Sequence, residues 1–211
     1  MVITYHGISC FKIQSGDIAL VFDAPSKNSK LKAPHFHADI ILQSHNHPNH
    51  NGAVDFLKKE EFFIVDGPGE YEAKGIYIRG LKSFHDSDQG KKRGLNTIFS
   101  LRLEGINLCF LGDFGEEEWR PELKEEIGKA DILFVPIGGG SVLEPAAAQK
   151  FISQIEPAIA VPMHYAEGGK GGLKEFLAEM GQKEAKPVEK LSLKKKDIAE
   201  NGTRVVVLSI T

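Results

Sequence analysis

The chain has 211 residues, and 26 Lys plus Arg against 29 Asp plus Glu leave a formal charge of −3, which excludes a stapled miniprotein and a scaffold built chiefly to neutralise nucleic-acid phosphates. Apolar residues at 41% and charged residues at 26% are those of a folded globular chain, so one domain over 1–211 is expected. The two cysteines, Cys10 and Cys109, are too few for a disulfide framework, no run approaches the roughly 20 apolar residues that span a bilayer, and the expected compartment is the cytoplasm.

In chain order, Ile8–Ile13 and Asp17–Phe22 read as strands around the hairpin signal Gln14-Ser15-Gly16, and 39–43 is an apolar run of buried-strand length. A short helix is predicted from Val54 to Lys59, then a strand from Glu61 to Val65 that ends in the turn cluster Asp66-Gly67-Pro68-Gly69. Strands follow at Gly75–Ile78, Asn96–Leu103 and Ile106–Leu111, and a helix at Pro121–Ile127. The second half alternates. Strands at Asp131–Ile137 and Ala158–Pro162 flank a helix whose Ala147, Ala148, Phe151, Ile152 and Ile155 recur with helical period. Ser141-Val142-Leu143-Glu144 has the form of a capping box before Pro145. A helix at Leu173–Met180 and a strand at Thr203–Ile210 close the chain, with Lys194-Lys195-Lys196 read as a solvated connection. Strands first and strand-helix alternation later predict sheet layers with helices outside them.

Three of the eight histidines lie within six positions, in Ser44-His45-Asn46-His47-Pro48-Asn49-His50, directly after an apolar strand. In extended backbone His45 and His47 project to one side, Pro48 forces a turn, and the turn returns His50 toward the same point. Core packing does not account for three imidazoles so placed; a metal does. Elsewhere the residues leave alternatives open: His85 is a ligand or a surface-loop histidine, Asp113 a ligand or a helix cap, and His164 a ligand or a buried hydrogen-bonded histidine. His35 and His37 precede a strand and read as surface or packing residues. Trp119 reads equally as a packing anchor or as part of a pocket rim.

The His-x-His-x-x-His core resembles the first ligand motif of the metallo-β-lactamase superfamily, usually His-x-His-x-Asp-His. Ser83-Phe84-His85-Asp86, Leu111-Gly112-Asp113 and Pro162-Met163-His164-Tyr165 are similar to its later motifs, in the expected order. Gly67-Pro68-Gly69-Glu70-Tyr71-Glu72 and Gly94-Leu95-Asn96-Thr97 resemble the small branch that includes ascorbate-6-phosphate lactonase. The resemblance implies an α/β (α+β) fold, the αββα four-layer sandwich. It also implies His45, His47 and His85 around one divalent metal, His50 and His164 around a second, and Asp113 between them. One or two ions are expected, zinc first, with manganese or iron as alternatives. The implied activity is hydrolysis of a small anionic ester, lactone or phosphoester by a metal-activated water, with Asp113 in the catalytic centre.

Three departures bear on that activity. Asn49 stands where the family places an aspartate, and a neutral amide cannot take up a proton as a base does. Gly7-Ile8-Ser9 replaces the more usual Gly-His-Ser, and Asp23-Ala24-Pro25 replaces Asp-Pro. The competing expectation is therefore an attenuated or inactive relative serving as a ligand-binding or assembly module. Gly139 and Gly140, in a glycine turn before a helix, together with Lys91 and Arg93, are candidate contacts for a substrate anion. A small-molecule substrate is expected, with no nucleic-acid or membrane partner, and the oligomeric state is open.

Overall fold

The computed structural model describes residues 1–29, 37–52, 62–165, 171–198 and 202–211. Two sheets face each other. The first contains β1 (Val2–Tyr5), β2 (Phe11–Ser15), β3 (Ile18–Phe22), β4 (Ile40–Leu42), β5 (Phe63–Val65) and β12 (Leu191–Ser192), in the order β12-β1-β2-β3-β4-β5. The second contains β6 (Gly69–Ala73), β7 (Ile76–Phe84), β8 (Leu95–Leu103), β9 (Ile106–Phe110), β10 (Ile132–Pro136), β11 (Ile159–Met163) and β13 (Arg204–Val205), ordered β13-β11-β10-β9-β8-β7-β6.

Period-two alternation divides each strand between two cores. Leu20 and Phe22 of β3, Ile40 and Leu42 of β4, Phe99 and Leu101 of β8, and Ile132 and Phe134 of β10 meet in the core between the sheets. There Phe22 stacks on Phe110 at 4.3 Å and Phe11 meets Phe134 edge-on at 4.8 Å, so aromatic pairs join the sheets. Ile98, Cys109, Leu133, Val135 and Ala160 face the other way, under α1 (Pro121–Ile127), α2 (Pro145–Ile155) and α3 (Leu173–Glu179). A smaller cluster of Cys10, Val21, Ala38 and Ile41 lies on the outer face of the first sheet. The helix expected at 54–59 lies outside the described residues. The architecture is the α/β sandwich anticipated from the sequence.

Several boundaries differ. The strand expected from Ile8 starts at Phe11, because Gly7–Cys10 is a turn closed by Cys10 N–H donating to the Gly7 carbonyl at 2.9 Å. β1 and β6 add to the strands expected from the sequence; β6 pairs with β7 from Gly69↔Gly80 to Ala73↔Ile76, so the turn cluster leads straight into a hairpin. The final strand is short: β13 pairs with β11, after which only single bridges at Leu208 and Ile210 continue. Lys195–Asp197 form a 3-10 turn, and Lys195 Nζ pairs with Asp131 Oδ2 at 2.9 Å. The capping box is also corrected. Glu144 itself occupies the N-cap position ahead of Pro145, and its carboxylate reaches back to Gly140 N–H at 3.1 Å.

β3 and β4 are parallel, β9, β10 and β11 are parallel, and β7 runs the same way through two antiparallel steps. Their carboxyl ends therefore open on one edge of the sandwich, where layered α/β folds place their ligands. Asp23, Ser44–His50, His85, Asp113, Gly138 and His164 all follow such ends.

Candidate metal centre

Asp113 is the centre of the cluster. Its Oδ2 lies 3.2 Å from His164 Nε2, 3.3 Å from His85 Nε2, 3.5 Å from His50 Nε2 and 3.8 Å from His45 Nε2. Three donor groups have ligand atoms mutually within 4.8 Å: His45, His47 and His50; His45, His85 and Asp113; and His50, Asp113 and His164. Asp113 belongs to the last two, so the structure brings together all six residues singled out from the sequence as metal ligands.

The surrounding hydrogen bonds fix which nitrogen of the His45 and His50 rings faces inward. Ser44 Oγ donates to Asp23 Oδ2 at 2.8 Å; its single proton is thus used, and at 2.9 Å it accepts from His45 Nδ1–H, leaving the His45 Nε2 lone pair toward the cluster. His50 Nδ1 lies 3.0 Å from Asp23 Oδ2 and 2.7 Å from Ser9 Oγ, so its Nε2 is likewise the inward acceptor. Asp23 also accepts Ser44 N–H at 2.7 Å, which ties the start of the histidine loop to the end of β3. His47 is exposed, and its Nδ1 faces Asn49 N–H at 3.3 Å.

Three of the seven non-glycine residues with positive φ among the described residues lie here. Ile8, Asp23 and His164 all have positive φ, at 52°, 45° and 57°. For the β-branched Ile8 that is a costly conformation, of order 1–3 kcal/mol. It aims the Ile8 carbonyl at His164 N–H, 2.6 Å away, and at Tyr5 Oη–H, 2.8 Å away. Gly138 must lack a side chain because a Cβ would overlap the His164 carbonyl oxygen.

Burial and charge set the protonation states. Burial, then neighbouring His50, lowers the His45 pKa to about 4, and burial also lowers His85 and His47. Burial opposes charge on His50 too, but the Asp113 and Asp23 carboxylates outweigh it and raise its pKa. Burial would raise Asp113 as well; instead His50 and His164 hold it far below the usual carboxylate range. Burial thus favours the neutral, ligating form of His45, His47 and His85, beside the Asp113 carboxylate. His45 Nε2, His85 Nε2 and Asp113 Oδ1 are buried without a hydrogen-bond partner. Orphaned acceptors gathered around one point are what a divalent cation satisfies, so the donor set fits a metal.

The remaining candidates separate. Asn49 Oδ1 accepts from Ser29 Oγ at 2.7 Å. In the Gly139-Gly140 turn, Gly140 N–H donates to the chain's own Glu144 carboxylate at 3.1 Å and Gly139 N–H to the Leu143 carbonyl at 3.0 Å, while a Cβ on Gly139 would lie 2.6 Å from both carboxylate oxygens. Lys91 pairs with Asp88 at 3.1 Å, whereas the Arg93 guanidinium is close enough to depress His85 after burial has done so. His37 lies 3.3 Å from Asp39, and His35 lies outside the described residues. Trp119 packs edge-on against Phe151 at 4.6 Å, as an anchor. A cavity of about 1140 Å³, lined by Asp131, Gln182, Lys195 and Thr203, lies at the opposite ends of the strands. Sequence reading missed the supporting roles of Ser9 and Asp23; no spacing rule marks them, because they meet His50 from 41 and 27 positions away.

Residues 2–164 match the family profile described as a beta-lactamase superfamily domain. The chain belongs to the β-lactamase superfamily. Within it, a UPF0173 protein of Pyrococcus abyssi is 28% identical over 85% of this chain and 90% of its own. A UPF0173 metal-dependent hydrolase of Thermococcus onnurineus is 26% identical over 77% and 84%. A solved Thermotoga maritima structure, described as a candidate Zn-dependent hydrolase of the metallo-β-lactamase superfamily, is 30% identical, covers 99% of both chains and superposes with a TM-score of 0.78. No helix among the described residues is long and apolar enough to cross a membrane.

Proposed function

We propose that this superfamily member is a metal-dependent hydrolase acting on a small anionic ester, lactone or phosphoester. The observation that carries the reading is the convergence of four imidazole Nε2 atoms within 3.2–3.8 Å of one Asp113 oxygen, with buried acceptors there unpartnered. A divalent ion, zinc by the chemistry of a histidine-rich set, supplies Lewis acidity and an acidic water at such a centre. The residues that would hold it are His45, His47, His50, His85, Asp113 and His164. Asp23, Ser44 and Ser9 keep His45 and His50 in the ligating tautomer.

An anionic substrate is supported by the charge count: five imidazoles and a single carboxylate leave one or two divalent charges largely uncompensated, and Arg93 adds a cation beside His85. The similarity to ascorbate-6-phosphate lactonase points the same way, and the overall charge of −3 favours a small molecule over nucleic acid. A second reading has its own observation. Because Asn49 is neutral and bonded to Ser29, one of the two ion positions lacks its usual carboxylate, which favours a mononuclear or attenuated centre, or a binding module.

Elemental mass spectrometry on untagged protein purified without chelator, before and after dialysis against zinc or manganese, tests the proposal. One or two equivalents, lost in His45→Ala and His85→Ala, support it and justify a screen of phosphorylated lactones and esters. No metal under any loading condition sinks it and leaves the binding module.

A further inference from the structure

Asn96 is wholly buried at the start of β8, and its side chain makes three hydrogen bonds. Nδ2 donates to Ser83 Oγ at 2.7 Å and to the Leu111 carbonyl at 2.8 Å, while Oδ1 accepts Asp113 N–H at 2.9 Å. Ser83 Oγ returns a bond to the Asn96 carbonyl at 2.9 Å. The next residue, Thr97, donates its N–H across to the Ser44 carbonyl in the loop of the other sheet, at 2.8 Å.

The register explains this arrangement. β8 and β9 pair Leu101↔Leu108 and Phe99↔Phe110, and the same ladder continued would set Asn96 opposite Asp113. The ladder stops at Phe110 instead. Leu111 N–H turns to the Phe134 carbonyl of β10, and Gly112 takes φ 57°. The Asn96 carboxamide, which offers N–H donors and a C=O acceptor as peptide groups do, binds the Leu111 carbonyl and the Asp113 N–H just beyond the last ladder pair. It holds Asp113 one side-chain length away from β8. Gly112 must be glycine for the same reason, because a Cβ would run into Asn96 Oδ1 and the Ser44 side chain. On its other flank Asn96 is the direct partner of Ser83, two residues before His85.

Resting on the reading of the cluster as a metal centre, we propose that Asn96 is the positioning residue that sets Asp113, His85 and the His45 loop at ligating distance from one another. It touches no ligand side chain itself. It acts through the Asp113 backbone, through Ser83 and, by Thr97, through Ser44.

The test compares wild type with Asn96→Asp and Asn96→Ala, loaded with Co²⁺ and read by the visible d–d spectrum at saturation and by competition against a chelator. Asn96→Asp keeps the acceptor for Asp113 N–H but loses both donors. Variants whose metal-free circular dichroism matches wild type are expected to bind Co²⁺ about ten- to a hundredfold more weakly and to show altered d–d bands. Unchanged affinity and bands in a folded variant overturn the proposal while leaving the metal centre standing. A wild type that takes up no Co²⁺ overturns both. Should neither variant fold, the unsubstituted protein decides by NMR: both Nδ2 protons are expected to exchange slowly and to shift on zinc loading, and fast exchange or no shift overturns the proposal.

Discussion

His50 stands between two carboxylates: its Nδ1 is 3.0 Å from Asp23 Oδ2 and its Nε2 is 3.5 Å from Asp113 Oδ2. One carboxylate lies behind the ring and orients it, and the other shares the centre that the ring faces. Asp23→Asn should therefore weaken metal binding about ten- to a hundredfold, because the amide no longer enforces the Nδ1–H tautomer and brings a donor toward Ser44 N–H. Chelator competition with zinc measures it; wild-type affinity in a folded variant would refute the role.

Asn49→Asp restores an anion beside the histidine loop, where the present amide is bonded to Ser29. The expected result is a higher metal-to-protein ratio after gel filtration, and a faster hydrolysis of any substrate found. An unchanged ratio would place position 49 outside the ligand set.

Glu144, at the N-cap of α2, accepts the Gly140 N–H. Removing it in Glu144→Ala should cost about 0.5–1.5 kcal/mol, one net hydrogen bond at an exposed site. Urea denaturation of the metal-free chain reads the change, and Glu144→Gln, which keeps an acceptor oxygen, should recover part of it.

Far from the metal centre, Asp131 accepts Asn107 N–H and Lys195 Nζ. Its burial works to raise the pKa, but these donors prevail and lower it. A folded-state value below the unfolded one, about 3.9, means that the unfolded chain binds the proton first. The resulting stabilisation is present above that unfolded value and is lost as pH falls through the folded one. Melting temperatures from pH 6 to 2 should fall less steeply in Asp131→Asn; parallel curves would show that this carboxylate contributes nothing.

Local rules carried much of the architecture because they act within a few residues. Apolar runs such as 132–136 and 159–163 bury both faces and so declare themselves as central strands, and Pro145 marks the first turn of α2. The histidine loop was legible for the same reason: spacing in an extended segment and a turn-forming proline decide where His45, His47 and His50 point. Glu144 shows the limit. Its sequence position fits a capping box, yet the carboxylate turned to the Gly140 amide once the turn had brought it within reach.

What the sequence by itself determined is the ligand chemistry and the presence of sheet layers with helices outside them, since both follow from residue type and short-range period; the sandwich itself is what the resemblance to the metallo-β-lactamase superfamily implied. What only the tertiary structure decided is the site's geometry. Asp113 reaches the histidines because β9 leaves β8 after Phe110, and Asn96 catches the strand as it leaves. Asp23 becomes the partner of His50 only when β3 and β4 pair in parallel and place the ends of both strands side by side. Contacts between residues 17 to 41 positions apart have no periodic signature; they exist when two sheets, each registered by its own ladder, close on one edge.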